Sequence, residues 1–441
     1  MGFIGLRGII SAKMNSIDTK KDKSLRFSFL DGIFASAMIG FTQDYFTPFL
    51  LLLGGTARHV GILNALPNLF AALVQLKSAD LVEKVKSRRK IINVFVCLQA
   101  LILLPMMGIA LIGAVNLYVF IAVVIIFTFF GAFAGPAWGS LMSDLVDEDK
   151  RGEYFGWRNR ILGFIIIAFT FTAGFVLHIM KKVHIFYGFV IIFGFAFIFR
   201  IISWYFLTKM HEPVLEYKKE NSFTLFDFLA RIKDSNFAKF VLFVAMMNFS
   251  VNLASPFFAV LMLRDLHFSY MTYSIVVVSA TASIYIMIGR WGQQADRVGN
   301  LRIIRFVSPL IAIIPLFWIL NRHPLYLVFA QAFSGFAWSG FNLCASNFIY
   351  DAVTPPKRTR CIAYFNALNG VALCSGALFG GFLLRYLPEI FGYRILTLFL
   401  ISSILRLLVA TFMPINLKEV RSVEKVKSDQ LLFGVMGITR P

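Results

Sequence analysis

FSFLDGIFASAMIGFTQDYFTPFLLLL, residues 27–53, is an apolar stretch that contains Asp44. A stretch of about 20 apolar residues can span a bilayer as a helix. A carboxylate inside such a helix is costly to bury and usually faces a water-filled path. The pattern returns 208 residues later, because Asp44 lies four residues before Pro-Phe at 48–49 and Asn252 lies four residues before Pro-Phe at 256–257. This stretch therefore predicts a duplicated membrane helix with one ionisable copy, which favours a transporter over a scaffold.

Composition excludes a water-soluble protein. The chain of 441 residues is 58% hydrophobic and only 15% charged, with a mean hydropathy of +0.75. Soluble domains carry about 25% charged residues, so too little polar surface remains here to cover a globule in water. The net charge of +20 comes from basic residues in short loops between apolar runs, which indicates membrane orientation and not nucleic-acid binding. We expect the lipid bilayer, and no nucleic acid, as a partner.

Patterns typical of metal, cofactor or nucleotide sites are missing from the sequence. The four cysteines lie in or beside apolar runs without CxxC spacing, and the six histidines form no HxxxH pair. No GxxxxGK[ST] loop occurs, which disfavours transport driven directly by ATP. We expect no cofactor, no metal and no catalytic residues.

Twelve apolar runs each reach the length that a spanning helix needs, about 20 residues. They are 28–54, 60–79, 91–113, 116–143, 157–180, 184–208, 238–263, 269–291, 303–320, 323–349, 361–385 and 391–413. The only long interruption divides them into six plus six. The predicted organisation is an N-terminal segment 1–27, a six-helix bundle 28–208, a linker 209–237, a second six-helix bundle 238–414 and a tail 415–441.

The charges of the loops and the linker predict the orientation. Lys and Arg concentrate in alternate loops, on the side of both termini and the linker, so the positive-inside rule places that side in the cytoplasm. Thr224 lies three residues before Asp227, as in a capping box, and predicts a short amphipathic helix on the inner membrane surface. A solvated linker is the alternative. We expect a monomeric, multi-pass protein of the cytoplasmic (inner) membrane with both termini cytoplasmic.

The two halves share more than the helix count. YFxxxN occurs at 154–159 and again at 364–369. An aspartate precedes an arginine by seven residues in both halves, and the helices at the end of each half contain Arg200 and Arg406. These offsets all lie between about 206 and 210 residues, and parallel six-helix repeats are the architecture of a known transporter class. We expect the paired arginines to extend to the membrane surface or to pair with loop carboxylates.

The loop after the eighth run, residues 292–302, reads GQQADRVGNLR and resembles the GxxxDRxG motif of the major facilitator superfamily. The first-half counterpart at 79–89 reads ADLVEKVKSRR and keeps a small residue, an acid-base pair and a basic cluster. It differs from the motif at two positions, because Glu83 replaces the Asp and Lys86 replaces the second glycine. The resemblance covers nearly the whole chain. It implies an all-α membrane fold of twelve helices in two parallel repeats.

The resemblance also implies gating by the charged loops, which form contacts in one global state and break them in the other. Individual exposed pairs contribute at most about 1 kcal/mol, so a network is required. The alternative is that these charges only set the membrane topology. The expected gating residues are Glu83, Lys84, Arg88, Arg89, Asp144, Arg151, Gly292, Asp296, Arg297, Gly299, Asp351 and Arg358.

The segment at 131–139, GAFAGPAWG, resembles the GxxxGPxxG motif of antiporters in that family. In those proteins the motif belongs to the fifth helix, whereas here it lies in the fourth run. We therefore interpret Gly135-Pro136 as a kink and close-packing site, which weakens the case for antiport.

Polar residues inside the runs are the candidates for a coupling or substrate cavity. Asp44 is the only carboxylate that we place deep in the membrane, so it is the expected proton-coupling or binding group. The amides can hydrogen-bond a polar solute or, equally, hold helices together. The expected cavity residues are Asp44, Asn248, Asn252, Asn342 and Asn366.

The sequence thus predicts a secondary active transporter that moves a small solute by alternating access, with protons as the expected driving ion. A non-transporting receptor or scaffold on the same fold is the alternative, since fold does not fix function. A membrane enzyme is a weaker third class, because no nucleophile-base constellation is found. Symport of a polar solute and efflux of an amphipathic compound both remain open.

Overall fold

Twelve long helices make up nearly all of the backbone in the computed structural model, which describes residues 20–146, 151–213, 235–353 and 355–420. They are α1 (Lys20–Leu52), α2 (Ala57–Val85), α3 (Arg88–Ile112), α4 (Leu117–Leu145), α5 (Arg151–Met180), α6 (Ile185–Thr208), α7 (Asn236–Asp265), α8 (Tyr270–Val298), α9 (Asn300–Leu320), α10 (Pro324–Ala352), α11 (Pro355–Leu383) and α12 (Arg394–Asn416). The predicted fold of twelve helices in two sets of six is confirmed. The expected linker helix lies outside the described residues.

Ten of these helices are long and apolar enough to cross a membrane, by a search of the described residues. The other two, α2 and α10, have 29 residues each, which is also long enough to span the hydrocarbon core. Charges do not end a helix whose backbone satisfies its own hydrogen bonds. For that reason α2, α5, α8 and α11 extend beyond their apolar runs, all at the end of the bundle that carries the linker.

Serine and asparagine side chains cap the N-termini of several helices. The Oγ of Ser87 accepts a hydrogen bond from the backbone N–H of Lys90, and the Oγ of Ser269 accepts one from Thr272. Such caps satisfy N–H groups that have no partner within the helix. They fix where α3 and α8 begin, and hence the length of each turn between helices.

The first helix of each half is irregular at the duplicated proline. Helix α1 passes through a 3-10 turn at Gln43–Tyr45, and α7 is interrupted after Asn252 before Phe257–Val260. A proline inside a helix has no N–H to donate to the carbonyl four residues earlier. Pro48 thereby frees the carbonyl of Asp44, and Pro256 frees that of Asn252. The repeated sequence therefore produces a repeated structural break.

The buried apolar residues define two different ends of the molecule. We call the end that carries residues 209–235 the linker end and the other the opposite end. At the opposite end one continuous core joins both halves and contains Phe49, Phe189, Phe257 and Trp318. At the linker end each half has its own separate core. The two halves thus share one apolar core at the opposite end and have separate apolar cores at the linker end.

Candidate functional site

Hydrogen bonds between the halves lie at the opposite end. The hydroxyl groups of Tyr45 and Ser274 are 2.7 Å apart, and the hydroxyl of Tyr273 donates to the backbone carbonyl of Asp44 at 2.8 Å. The acceptor in the second bond is the carbonyl that Pro48 leaves without its helical partner. The irregular turn in α1 therefore connects the first half to α8.

Small residues bring the helices of the two halves close together at the same end. A Cβ placed on Gly61 of α2 would lie 2.9 Å from the carbonyl oxygen of Ala377 in α11. Glycine permits this approach because it has no side chain, as is common where membrane helices pack. The opposite end is consequently closed to solutes.

The first half contains a cavity of about 490 Å³ that lies mainly toward the linker end. Apolar side chains from α1, α3 and α4 form much of its wall. The polar residues that line it are Asp31, Gln43, Gln99, Thr128, Trp138, Arg158 and Arg200. Its volume is in the range of small-molecule binding sites, which combine apolar walls with a few polar groups.

Asp31 is a buried carboxylate that the sequence analysis missed. It is 5% exposed, and its carboxylate accepts a 2.6 Å hydrogen bond from the Oγ of Ser203, which in turn accepts one from Arg200. Asp31 is therefore a second acidic residue, besides Asp44, to be considered as a coupling or binding group. Asp31 has no acidic or amide counterpart in the internal repeat, because the position 208 residues later is occupied by Lys239. The usable signal was Asp31 itself, in the same apolar run as Asp44.

Asp44 lies elsewhere along the same helix. In this 33-residue helix it is about 12 Å from the middle, toward the opposite end, as the rise of 1.5 Å per residue gives. Its side chain is half-buried, and Asp44 does not line the first-half cavity or the cavity of the second half. Asp31, by contrast, lies about 8 Å from the middle on the linker side.

The second half contains a cavity of about 310 Å³ between α7, α10 and α11. Three of the amides expected in a cavity, Asn248, Asn342 and Asn366, do line it together. Asn248 donates to the side-chain carbonyl of Asn369 at 2.9 Å. Asn252 is not part of its lining and donates to the carbonyl of Asn248 at 3.3 Å. The residues that line this cavity include no charged side chain.

Arg200 and Arg406 are both buried inside the protein, so the expectation that they reach the membrane surface or pair with loop carboxylates is wrong. Arg200 is 8% exposed and donates to Gln99 at 2.5 Å and to Ser203 at 3.1 Å. Arg406 is 2% exposed and donates to Ser402 and to the backbone carbonyls of Ile311 and Val251. Ser203 and Ser402 are neighbours on the same helices, but Gln99, Ile311 and Val251 lie on other helices far along the chain, which local sequence does not reveal.

The charged loop of the first half is held by two carboxylates. Arg88 is fully buried and pairs with Asp144 at 2.6 Å. Glu212, just after α6, accepts hydrogen bonds from the Oγ of Ser87 and from the backbone N–H of Arg88. A carboxylate at the N-terminus of a helix satisfies free N–H groups and interacts favourably with the helix dipole. The start of α3 is thereby tied to the ends of α4 and α6.

The second half repeats this arrangement with different residues. Asn300 takes the place of the arginine and donates to Asp351 at 2.8 Å. Glu419, after α12, accepts from the backbone N–H of Leu301 at the start of α9. Gly299 has φ +90°, which favours glycine, and a Cβ there would also collide with Glu419. This explains the second glycine of the GxxxDRxG loop.

The other expected gating residues are placed as follows. Asp296 and Arg297 are exposed at the end of α8, Gly292 lies one turn earlier, and Lys84 is exposed at the end of α2. Arg89 donates to the carbonyl of Thr208 at 2.7 Å. The side chains of Glu83, Arg151 and Arg358 lie outside the described residues. In every loop contact given above, both partners belong to the same half.

Comparisons with known proteins agree with this architecture. A family model described as Major Facilitator Superfamily matches residues 32–290 and 240–435. The nucleoside transporter NupG is similar in structure, with a TM-score of 0.66 and 16% identity over 90% of this chain and 98% of that chain. A bacterial homologue of the human lysosomal transporter Spinster, in an inward-facing and unoccupied conformation, gives a TM-score of 0.64 and 13% identity over 90% and 98%. No curated protein matches the chain in sequence.

The human organic anion transporter MFSD10 is also similar in structure, with a TM-score of 0.63 and 13% identity over 89% of this chain and 99% of that chain. Identities this low show a common fold and no common substrate. The family match, in contrast, extends over most of the sequence. The chain belongs to the major facilitator superfamily.

Proposed function

We propose that this chain is a secondary active transporter that moves a small solute across the membrane by alternating access, coupled to protons. The observation that carries the proposal is the difference between the two ends. Among the described residues, a single core and two hydrogen bonds join the halves at the opposite end, while the cavity of each half lies toward the linker end, where the two halves have separate cores. Rocking of one bundle against the other would expose the same cavities to the other side.

The charged loops support gating of this motion. In the structure the pair Arg88–Asp144 and the bond Asn300–Asp351 each stay within one half, as expected for a state in which the linker end is open. Closure of that end would bring α2, α5, α8 and α11 together with their protruding charged ends. Contacts formed only in that state would bias the equilibrium without touching the solute.

The distribution of basic residues supports a cytoplasmic linker end, with both termini and the linker inside. The structure would then be open to the cytoplasm. The proposal is checked by labelling a cysteine placed at Glu220, in the linker, with a membrane-impermeant reagent. Labelling is expected only after the cells are permeabilised, and labelling of intact cells would contradict this orientation.

Two carboxylates are candidates for proton coupling. Asp44 lies near the contact between α1 and α8, and Asp31 lines the first-half cavity. A proton-coupling group must be accessible from each side of the membrane in turn and must lose its charge on protonation. Both Asp31 and Asp44 lie in α1, which extends from the first-half cavity to the opposite end. We propose Asp44 as the proton-coupling group, because the equivalent position in the second half is an amide, Asn252. Asp31 is the alternative coupling group.

The experiment begins with a thermal-shift screen of purified protein against metabolites and drugs, since a bound ligand raises apparent stability. Uptake of the best ligand is then measured in proteoliposomes, with and without an imposed pH gradient. Asp44→Asn is expected to remain folded and to lose gradient-driven accumulation while it keeps exchange. Full accumulation by Asp44→Asn would exclude it as the coupling group. The absence of counterflow in wild-type protein would favour a receptor or scaffold.

A further inference from the structure

The first-half cavity has an unbalanced charge. Arg158 and Arg200 both line it and are 7% and 8% exposed, whereas Asp31 is the only carboxylate among its lining residues. Two cations and one anion leave a net positive charge in a region that α1, α3 and α4 enclose with apolar side chains. An uncompensated charge in such surroundings is costly. The cavity would therefore be stabilised by one more negative charge.

Hydrogen bonding within the cluster is also incomplete. Asp31 is connected to Arg200 through Ser203, and no ion pair within 4.0 Å joins Asp31 to either arginine in the part of the chain that the structure describes. Arg158 donates to the carbonyl of Ser28, and its guanidinium lies 4.5 Å from the ring centroid of Trp138. The Nε atoms of both arginines are buried without an acceptor among the described residues. A guanidinium has five N–H donors, so much of this donor capacity is unused.

We propose that the first-half cavity binds the anionic group of a small organic substrate, a carboxylate or a phosphate, through Arg158 and Arg200. Arginine presents a planar fork of donors that matches both groups. Phe127 and Met38 supply apolar wall beside the charged groups, which suits an anion with an apolar body. The second-half cavity has amides and no charged lining residue, so recognition of charge is assigned to the first half. This inference names the substrate class of the proposed transporter and rests on that function.

Asp31 would then compete with the substrate for the same positive charge. Removing its charge should strengthen anion binding by about tenfold, the smallest effect expected for a nearby charge in a desolvated site. Removing an arginine should weaken binding by about thirtyfold or more, because a buried charge pair would lose one partner. A purely structural cluster would not respond in opposite directions to these two changes.

The test uses purified full-length protein in lipid nanodiscs and three probes at up to about 10 mM, a range in which weak ligands still shift stability. The probes are 3-phenylpropionate, phenyl phosphate and the neutral 3-phenylpropionamide, and binding is measured by thermal shift and calorimetry. At least one anion is expected to bind and the amide is not. The two anionic arms distinguish carboxylate from phosphate recognition. Equal binding of acid and amide, or no binding of either anion, would overturn the proposal.

Variants then locate the site. Arg158→Gln is expected to weaken anion binding most, Arg158→Lys to weaken it less because the charge is kept while the fork of donors is lost, and Asp31→Asn to tighten it. Arg406→Gln is the matched control, since Arg406 is equally buried but lines neither cavity, and it should leave affinity unchanged. Unchanged affinity in both Arg158→Gln and Asp31→Asn would contradict the assignment. Anion binding that persists without any transport in proteoliposomes would leave the site in place and reject the transport function instead.

Discussion

At the scale of single residues, one serine of the first half, Ser203, bridges two buried charged side chains. The Oγ of Ser203 donates to Asp31 and accepts from Arg200, so a neutral hydroxyl connects two buried charges. Direct pairing would satisfy both charges fully and would leave less capacity for a ligand. The intervening hydroxyl keeps Asp31 and Arg200 oriented while Arg200 remains beside the cavity. The Ser203 side chain therefore orients Asp31 and Arg200 and also leaves Arg200 in a position to contact a ligand in the cavity.

Ser203→Ala removes this connection and leaves a buried carboxylate without its hydrogen bond. We expect a loss of about 1–3 kcal/mol, the cost of an unsatisfied buried polar group. The readout is the apparent melting temperature of purified protein. Ser308→Ala is the control, because the buried hydroxyl of Ser308 donates only to a carbonyl of its own helix, Ile304. Equal, small decreases for both variants would show that the Ser203 bridge contributes nothing particular.

At the scale of elements, α1 combines a helix break with a contact between halves. Pro48 leaves the carbonyl of Asp44 without its helical N–H, and the hydroxyl of Tyr273 in α8 takes its place. The neighbouring Tyr45 also reaches α8, through Ser274. The break in α1 is therefore part of the closed end, and opening that end would require these bonds to be exchanged for water.

Tyr273→Phe should weaken the closed end, because the carbonyl of Asp44 loses its donor. A hydrogen bond of this kind contributes about 0.5–1.5 kcal/mol, enough to shift a two-state population up to about tenfold. Reaction of a cysteine placed near Ser274 with a water-soluble reagent measures the opening. Tyr270→Phe is the matched control, because the hydroxyl of Tyr270 has no hydrogen bond within the described structure. Equal reactivity of the two variants would argue against a role for this bond.

Asp296 is exposed at the end of α8, where it is expected to act in gating between the two helix bundles. Asp296→Asn, and more weakly Glu83→Gln, should slow transport while equilibrium ligand binding stays within a few-fold, because both positions lie in the last turns of α8 and α2. Initial rates in proteoliposomes and calorimetric affinities separate the two effects. Loss of binding in a folded Asp296→Asn protein would show that the loop does more than gate.

At the scale of the whole molecule, the sequence predicted the features that repeat. Hydropathy and the six-plus-six duplication led to the twelve helices, and polarity inside the apolar runs indicated amides such as Asn248 that line one cavity. Features without a repeat were missed. Asp31 has Lys239 at its counterpart position, and the surroundings of Arg200 depend on Gln99, about 100 residues away. Burial of a charge is a property of long-range packing, which periodicity along one helix does not contain.

Alternating access requires the halves to rock so that the two ends open in turn. Electron-electron distance measurements on two spin-labelled pairs in nanodiscs detect this motion, in a background with the four cysteines replaced by alanine. One pair, Lys209→Cys with Lys418→Cys, reports on the linker end, and the other, Ile112→Cys with Leu320→Cys, reports on the opposite end; all four sites are exposed. We predict that a change of pH or addition of ligand shortens the first distance and lengthens the second in the same fraction of molecules. Single distance distributions that stay unchanged at both ends under all of these conditions would contradict alternating access.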